Sequence, residues 1–357
     1  MSKLTIKAFT IKEVIDNPGI FNSYKDPHGY LKEHDTNWIS LSKDNPYGKV
    51  NDLCLILTID ENVVVGKLGM YAGGVVSNER EKRIFWLTSF FLEEEYKNSG
   101  AGGLMLLRAI QFSKCLLGCG APREDAEKLY DGTGFFRLGP LKRFVYFYRT
   151  EAIAKKYIKN SLFSSLGTLV LSPLLKCYYK MKIGQIKINL KYQRIEKFDR
   201  GLDKLIATQT NAHFPKYTDT LNWVLKYKRN LYSFKILEND KQVGYCILRR
   251  SHRKEGVTSH NLPEMTVGSL LDYFLIDFSE ERKKDLILFC IDFFKKTNVD
   301  IFECQVFDPV FDRICSSIGM VHLGGNRIFF RPSRTKLFDR EQPWFITHGT
   351  SDVILGG

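Results

Sequence analysis

The chain has 357 residues, enough for about two domains that each bury a core of their own. Hydrophobic residues make up 44% and charged residues 26%, a composition typical of soluble globular proteins that excludes a largely disordered chain. The net charge is +13, and residues 151–200 hold 11 Lys or Arg against three acids. This local excess indicates either an anionic neighbour, such as nucleic acid, lipid headgroups or a phosphorylated ligand, or a solvated lysine-rich linker.

Targeting and metal signals are absent from the sequence pattern. The first residues are too polar for a signal peptide, and the longest weakly polar run, residues 161–175, is shorter than the ~20 residues that span a bilayer. We therefore expect a cytoplasmic protein. The eight cysteines form no CxxC pair and lie mostly in apolar segments, which predicts buried free thiols and no metal site.

The first half of the chain predicts five elements in order. A β-hairpin is expected at 53–76 and an apolar strand at 84–92. An amphipathic helix follows at 102–116, then a short helix at 126–136 and an aromatic strand at 143–149.

The second half repeats this order. It predicts a hairpin at 232–250, an apolar strand at 270–278, a helix at 281–296, a short helix at 311–321 and an aromatic strand at 326–331. Matching positions lie about 178 to 186 residues apart, and five elements in one order are hard to obtain by chance. We interpret the halves as diverged copies of one α/β unit.

Four regions follow from this interpretation. They are a first domain, a basic helical linker, a second domain and a tail, at 1–150, 151–195, 196–335 and 336–357. Within the linker, residues 151–182 have an apolar centre flanked by lysines. The segment predicts a helix that packs on both domains and is interrupted at Pro173, or else a peripheral contact with the inner face of an anionic membrane.

The segment Lys97–Gly103 is a polar, glycine-rich turn between an apolar strand and an amphipathic helix. Glycines let the backbone approach a ligand, and the first N–H groups of a helix have no intrahelical acceptor. Such a turn is suited to phosphate or pyrophosphate. No Lys-Ser/Thr pair follows the glycines as in a P-loop, and Met105 breaks the GxGxxG dinucleotide pattern.

Two motifs here resemble those of the GNAT acyltransferase superfamily. Its Q/R-x-x-G-x-G/A turn is matched by residues 97–102, with Lys97 in the Q/R position. Its A-x-x-L-Y-x-x-x-G-F signature is matched by residues 126–135 at the expected distance downstream. The resemblance covers about residues 50–150 and extends more weakly, through the repeat, over 200–331.

This resemblance implies an α/β (α+β) fold of two GNAT-like domains, each a mixed central β-sheet flanked by helices. It implies an N-acyltransferase whose donor is acetyl-CoA or another acyl-CoA, with no metal, and a small-molecule amine as acceptor. The implied donor-binding residues are Phe91, Leu92, Lys97, Asn98, Ser99, Gly100, Ala101, Gly102 and Gly103. The amides of residues 98–103 would hold the pyrophosphate, and the strand edge at Phe91 and Leu92 would pair with the pantetheine arm.

Tyr130 matches the family's usual general acid, which reprotonates the departing thiolate of coenzyme A. The alternative for Tyr130 is a packed aromatic on a short helix. Glu93, Glu94 and Glu95 follow the strand, but such a run is usually a solvated corner, so we assign no general base.

The second copy lacks both motifs. An ordinary capped helix start, residues 279–284, replaces the glycine turn, and Cys315 stands opposite Tyr130. We therefore expect one donor site, in the first half.

The tail from Trp344 to Asp352 resembles the closing W-x-[LI]-T-x-G-x-x-D of acyltransferases encoded with bacterial surface-polysaccharide enzymes. It points to an amino sugar as acceptor, with His348 and Asp352 as candidate lining residues. Two alternatives stay open: a FemAB-like transferase that uses aminoacyl-tRNA, and a non-catalytic protein that docks on a membrane. Because the aminoacyl-tRNA enzymes do not need the glycine turn, we do not expect nucleic acid as a partner.

Overall fold

The computed structural model describes residues 4–31, 42–77, 80–113, 116–120, 124–149, 161–184, 186–208, 211–227, 230–253, 264–277, 279–332, 343–347 and 349. The first part of the predicted linker, most of the predicted tail, and the candidate residues His348 and Asp352 lie outside these residues.

Fourteen strands and eight α-helices form within the described residues. The strands are β1 Thr5–Thr10, β2 Leu53–Asp60, β3 Val63–Ser77, β4 Arg80–Leu92, β5 Leu116–Gly120, β6 Phe136–Phe147, β7 Lys191–Ile195, β8 Ala212–His213, β9 Leu231–Glu238, β10 Lys241–Arg253, β11 Met265–Leu275, β12 Ile301–Phe307, β13 Val321–Arg331 and β14 Trp344–Thr347. The helices are α1 Ile11–Asp16, α2 Ala101–Phe112, α3 Glu124–Gly132, α4 Ser161–Ile183, α5 Gly201–Ile206, α6 Thr218–Tyr227, α7 Glu280–Lys296 and α8 Pro309–Ser317.

All fourteen strands belong to one sheet. Its order is β1-β2-β3-β4-β5-β13-β6-β12-β11-β10-β9-β7, with β8 and β14 off this path. The pairs β4–β5 and β11–β12 are parallel, and their neighbours along the path are antiparallel. The mixed sheet with flanking helices confirms the predicted α/β fold class.

From each edge of the sheet towards its centre, the strands follow one another in chain order. From one edge the strands are β1 to β5, and from the other they are β7 and β9 to β12. The two halves also exchange their last strands. β13 from the second half pairs with β5, and β6 from the first half pairs with β12. Each half is therefore completed by a strand of the other.

Helix α2 covers the first half of the sheet. Its buried residues Met105, Leu106 and Ala109 share a core with Phe85 and Leu87 of β4, because apolar residues at helical spacing face one side. The prediction of a helix over 102–116 is wrong at its end. The chain is extended at residue 113, and residues 116–120 form β5, whose parallel pairing with β4 outweighs the helical pattern.

Helix α4 corrects a second expectation, because it continues through Pro173. A proline inside a helix removes one intrahelical hydrogen bond and costs about 3 kcal/mol. Packing stabilises the part that follows: the ring of Tyr179 stacks on that of Tyr146, with centroids 3.9 Å apart, and its hydroxyl accepts from the Phe147 amide at 3.1 Å. Among the described residues, no helix has the length and hydropathy needed to cross a bilayer.

Six cysteines whose side chains the structure describes carry free thiols. Five of them are buried, and Cys177 on α4 is exposed.

Candidate active site

The predicted anion-binding turn lies between β4 and α2. Residues Glu94–Ser99 form a 3₁₀ helix, and α2 begins at Ala101. Between them Gly100 adopts a left-handed conformation with φ of 81°, which glycine reaches at little cost. The Ser99 hydroxyl donates to the Tyr96 carbonyl at 2.6 Å and accepts from the Ala101 amide at 3.2 Å. The direction in which α2 starts is thus set by the turn itself.

A tyrosine anchors this turn to the sheet. The Tyr96 hydroxyl donates to the carboxylate of Asp60, at the end of β2, over 2.8 Å. That hydrogen bond is the main cause that raises the pKa of Tyr96 to about 12. Tyr96 therefore remains a donor at neutral pH. Beside it, Lys97 lies at the surface with its ammonium 2.8 Å from Glu94.

The three glycines of the turn differ in what surrounds them. A β-carbon at Gly102 would lie 3.2 Å from Leu129 and 3.4 Å from the Phe90 ring, so Gly102 allows α2 to approach β4 and α3. At Gly100 and Gly103, a β-carbon would have no atom of a described residue within 4 Å apart from its immediate chain neighbours and the backbone of its own helix. The space beside Gly100 and Gly103 is therefore where a ligand can meet the first amides of α2.

The strand before the turn extends beyond its described partner on the β5 side. Pairing of β4 with β5 ends at Leu87, opposite Cys119, whereas its pairing with β3 continues to Leu92. No other described strand pairs with residues 89–92 on the β5 side. This edge includes both strand residues predicted to contact the donor, Phe91 and Leu92, and it leads directly to the glycine turn.

A β-bulge interrupts the edge, and no sequence pattern predicted it. Thr88 pairs with Gly69 and Phe91 with Lys67, so two residues of β4 oppose one of β3. At the bulge, Ser89 has a φ of 49°, which is uncommon for a residue with a side chain. Bulges are frequent beside active sites because they redirect the backbone.

The second sequence signature packs against the first. Leu129, on α3, lies next to Gly102, and the ring of the neighbouring Tyr130 contacts Phe90 of β4 at a centroid distance of 6.1 Å. Tyr130 is 2% exposed and is also enclosed by Phe135 and Phe329. The structure thus brings the two motifs together and describes Tyr130 as a packed aromatic. Its catalytic role stays a prediction.

Strand β13 of the second half forms part of this wall. Phe329 of β13 lies against Tyr130, and the Arg331 guanidinium donates to the Thr133 carbonyl at 2.9 Å. The motif on α3 is therefore held by a residue about 200 positions away. Sequence reasoning missed this, since no local pattern reports a strand exchange.

On the opposite face of β4, a polar cluster surrounds Glu93. The Tyr30 hydroxyl donates to its carboxylate at 2.6 Å, and His28 Nε2 lies 3.1 Å from it. The Tyr30 ring packs on Phe91 with centroids 4.5 Å apart, and burial is the main cause that raises the pKa of Tyr30. The Glu93 side chain is 22% exposed and hydrogen-bonded to Tyr30, whereas that of Glu94 is 86% exposed and pairs with Lys97 at the surface. The expectation of a solvated corner is wrong for Glu93.

The equivalent helix start in the second half is built differently. The Ser279 hydroxyl caps α7 by accepting from the Arg282 amide. In the same turn, the ammonium of Lys283 lies 2.5 Å from the carboxylate of Asp308, and both groups are largely buried. A side-chain ion pair occupies the helix start where the first half has glycines.

In both halves the two strands of the parallel pair separate and leave a gap between them. In the second half this gap is filled by another strand. Pairing of β11 with β12 ends at Leu270, and beyond it β14 pairs with β12 at Val306 and Phe307. On its other side, Thr347 of β14 donates to the Asp272 carboxylate on β11 at 2.6 Å. Part of the predicted tail is therefore a strand of the second half.

The chain was compared with known protein families, sequences and solved structures. No protein-family model matches the chain, and no curated protein sequence matches it significantly. Solved structures do match. A GCN5-related N-acetyltransferase from Anabaena variabilis has a TM-score of 0.54 and 12% identity, covering 93% of this chain and 73% of that chain. The N-myristoyltransferase of Saccharomyces cerevisiae, solved with bound myristoyl-CoA, has a TM-score of 0.58 and 10% identity, covering 94% and 84%.

A probable N-acyltransferase from Enterococcus faecalis is similar as well, with a TM-score of 0.52 and 12% identity over 95% of this chain and 74% of that chain. The chain has the fold of these acyltransferases. The GNAT resemblance inferred from the two motifs of the first half agrees with this fold, and at such low identity the likeness concerns the fold alone.

Proposed function

We propose that the chain is an acyl-CoA-dependent N-acyltransferase whose donor site lies in the first half. One observation carries the proposal: the open glycine turn of α2 lies at the end of the unpaired β4 edge and packs on the Tyr130 motif. Backbone amides at a helix start favour a diphosphate, and an unpaired strand edge favours an amide-containing arm. Acyl-CoA has both groups in this order.

The reaction needs no covalent enzyme intermediate. The acceptor amine attacks the thioester carbonyl, a C–N bond forms, the C–S bond breaks, the amine nitrogen releases a proton to water, and the thiolate takes up a proton. In our proposal the amides around Gly103 bind the diphosphate and the edge at Phe91 and Leu92 aligns the pantetheine arm. Tyr130 donates the proton to the thiolate, a step in which a general acid contributes about 10²–10⁴ in rate.

The second half supports a single donor site. Its helix start carries the Lys283–Asp308 ion pair, and its strand gap contains β14. We propose that the two halves descend from one duplicated unit and that the second half now shapes the acceptor side. An amino sugar is our proposed acceptor class, on the basis of the tail motif alone, and acetyl-CoA is the first donor to test.

The deciding experiment exploits the open space beside Gly103. Calorimetry with acetyl-CoA compares the unchanged chain with Gly103→Glu and Gly103→Gln, which differ only in charge. A carboxylate in the first turn favours the helix dipole, so neither variant should lower the melting temperature. We expect Gly103→Glu to weaken binding at least about thirty-fold, the equivalent of ~2 kcal/mol, and Gly103→Gln much less.

Two results would contradict the proposal. The first is an unchanged melting temperature of the unmodified chain with acetyl-CoA and longer acyl-CoAs, which would exclude tight binding to the folded state. Alternatively, both Gly103 variants could bind as the unchanged chain does, which would place the carrier elsewhere. Salt-sensitive binding of tRNA without acyl-CoA binding would favour the aminoacyl-tRNA alternative.

A further inference from the structure

Helix α4 presents an apolar stripe to solvent. Leu174, Tyr178 and Met181 are 60%, 38% and 79% exposed, and Cys177 between them is also exposed. At 100° per residue, these four side chains lie within about 100° of one another around the helix axis. Large exposed apolar side chains are ordinary when scattered singly, but here they are contiguous.

Most of the stripe lies away from the protein, and only Tyr178 at its edge lies beside Gly319. Tyr179 is 5% exposed and stacks on Tyr146, while Leu175 and Ile183 on the same side of α4 are half-buried. These three residues point roughly opposite to the stripe on a helical projection. The helix is therefore attached to the sheet by one face and leaves a second apolar face unused.

Positive charge flanks the stripe on both sides. Lys182 borders the stripe on one side and Lys180 on the other, while Lys176 lies farther round the helix, and all three are exposed. The surrounding sequence is strongly one-signed, because residues 152–195 contain nine Lys or Arg and no Asp or Glu. An apolar stripe bordered by lysines suits the interface of an anionic bilayer. The stripe would enter the acyl region, and the ammonium groups would reach the lipid phosphates.

We propose that the exposed face of α4 docks the protein on an anionic phospholipid surface. The occupant is a membrane because this face combines apolar area with charge complementarity. A polyanion such as RNA would use the lysines without the stripe, and a second copy of this chain would bring a like charge. The contact is peripheral, and it is independent of the donor site.

The test is co-sedimentation of the full chain with two kinds of vesicle. One is phosphatidylcholine alone, and the other is phosphatidylcholine mixed with phosphatidylglycerol. We expect binding to the mixed vesicles only, and weaker binding as salt is raised. The triple variant Lys176→Gln, Lys180→Gln, Lys182→Gln should bind about a hundred-fold less, at about five-fold per lysine.

Matched controls separate this surface from net charge. The triple variant Lys12→Gln, Lys49→Gln, Lys295→Gln changes three exposed lysines elsewhere and lowers the net charge equally. Leu174→Glu with Met181→Glu tests the stripe, and Val50→Glu with Val321→Glu places the same charges on exposed apolar residues outside α4. Only the α4 variants should lose vesicle binding, with melting temperatures unchanged.

Equal loss in the matched pairs would overturn the proposal, since it would show a response to overall charge. So would vesicle binding that survives both α4 variants. Loss of RNA binding in the lysine variant, with full retention in the Leu174→Glu, Met181→Glu variant and no vesicle binding, would assign the lysines to a nucleic acid. A dimer of the unchanged chain that Leu174→Glu with Met181→Glu dissociates would assign the stripe to a second copy.

Discussion

The sheet has two gaps, one between β4 and β5 and one between β11 and β12. The strands around them are arranged alike, but the two gaps differ in what they contain. In each half, a parallel pair ends early while one strand continues past a bulge, at Leu87 in the first half and Leu270 in the second. The first gap leads to glycines with open space beside them. The second contains β14 and ends at the Lys283–Asp308 pair. One architecture therefore supports an open groove in one half and a packed interior in the other.

The difference shows which features of the fold are general and which belong to a site. Strand order, parallel pairing and the bulge occur in both halves, so they cannot by themselves indicate a donor site. The helix start is what differs. Glycine leaves main-chain amides accessible, whereas at the start of α7 the Ser279 hydroxyl accepts from the Arg282 amide and Lys283 of the first turn pairs with Asp308.

The largest effect is expected at Tyr130, which the predicted repeat aligns with Cys315 of the second half. Tyr130→Phe should reduce turnover about 10²–10⁴-fold with acyl-CoA affinity unchanged, because only the proton donor is lost. Cys315→Ala should leave turnover unchanged and lower stability, since Cys315 is fully buried. Steady-state kinetics and calorimetry measure both. An unchanged rate in Tyr130→Phe would leave this residue a packed aromatic and nothing more.

Breaking the buried Lys283–Asp308 ion pair of the second half should lower stability and leave acyl-CoA binding unchanged. Asp308→Asn keeps the side-chain acceptor that caps α8 but leaves the Lys283 ammonium without its charge partner. We expect a loss of about 3 kcal/mol in the free energy of unfolding, measured with urea. Adding Lys283→Met should restore most of it. Weaker acyl-CoA binding in Asp308→Asn, comparable to that in Gly103→Glu, would move the donor site to the second half.

Two equivalent glycines allow a finer comparison. A β-carbon at Gly244 would lie 2.0 Å from the Phe274 carbonyl oxygen, so alanine there forces the backbone apart and should cost about 1–3 kcal/mol. At Gly66 the nearest atom, 2.7 Å away, is the end of the Leu92 side chain, which can rotate. Gly66→Ala should cost less stability but weaken acyl-CoA binding a few-fold, because Leu92 lies on the donor edge. The reverse pattern would contradict that edge.

The smallest effect concerns pH at the junction of the halves. Burial lowers the pKa of His213, whose strand contacts both β3 and β14. As the pH falls, His213 is therefore protonated in the unfolded chain before it is protonated in the folded chain. Stability should be fully present above pH ~6.5 and fall below it by at most about 1.4 kcal/mol per pH unit. His213→Asn should flatten this dependence in urea titrations at several pH values. An equally steep fall in the variant would assign it to other groups.

Much of the fold was predictable because its signals are local. Helical spacing in 281–296 and the β-hairpins at 53–76 and 232–250 gave the elements with small boundary errors. Where the pattern misled, distant contacts were the cause. The helix expected to reach residue 116 ends at Phe112 because β5 pairs with β4, and α4 continues through Pro173 because Tyr179 docks on the sheet.

The sequence by itself determined the glycine turn, since its amides come from consecutive residues and need only the strand before and the helix after them. Only the tertiary structure decided that Gly102 faces Leu129 while Gly103 faces open space. It alone also decided the exchange of β6 and β13 and the place of β14 in the second gap. These features depend on residues far apart in the chain, whose contacts follow from strand pairing and burial and leave no mark at any one segment.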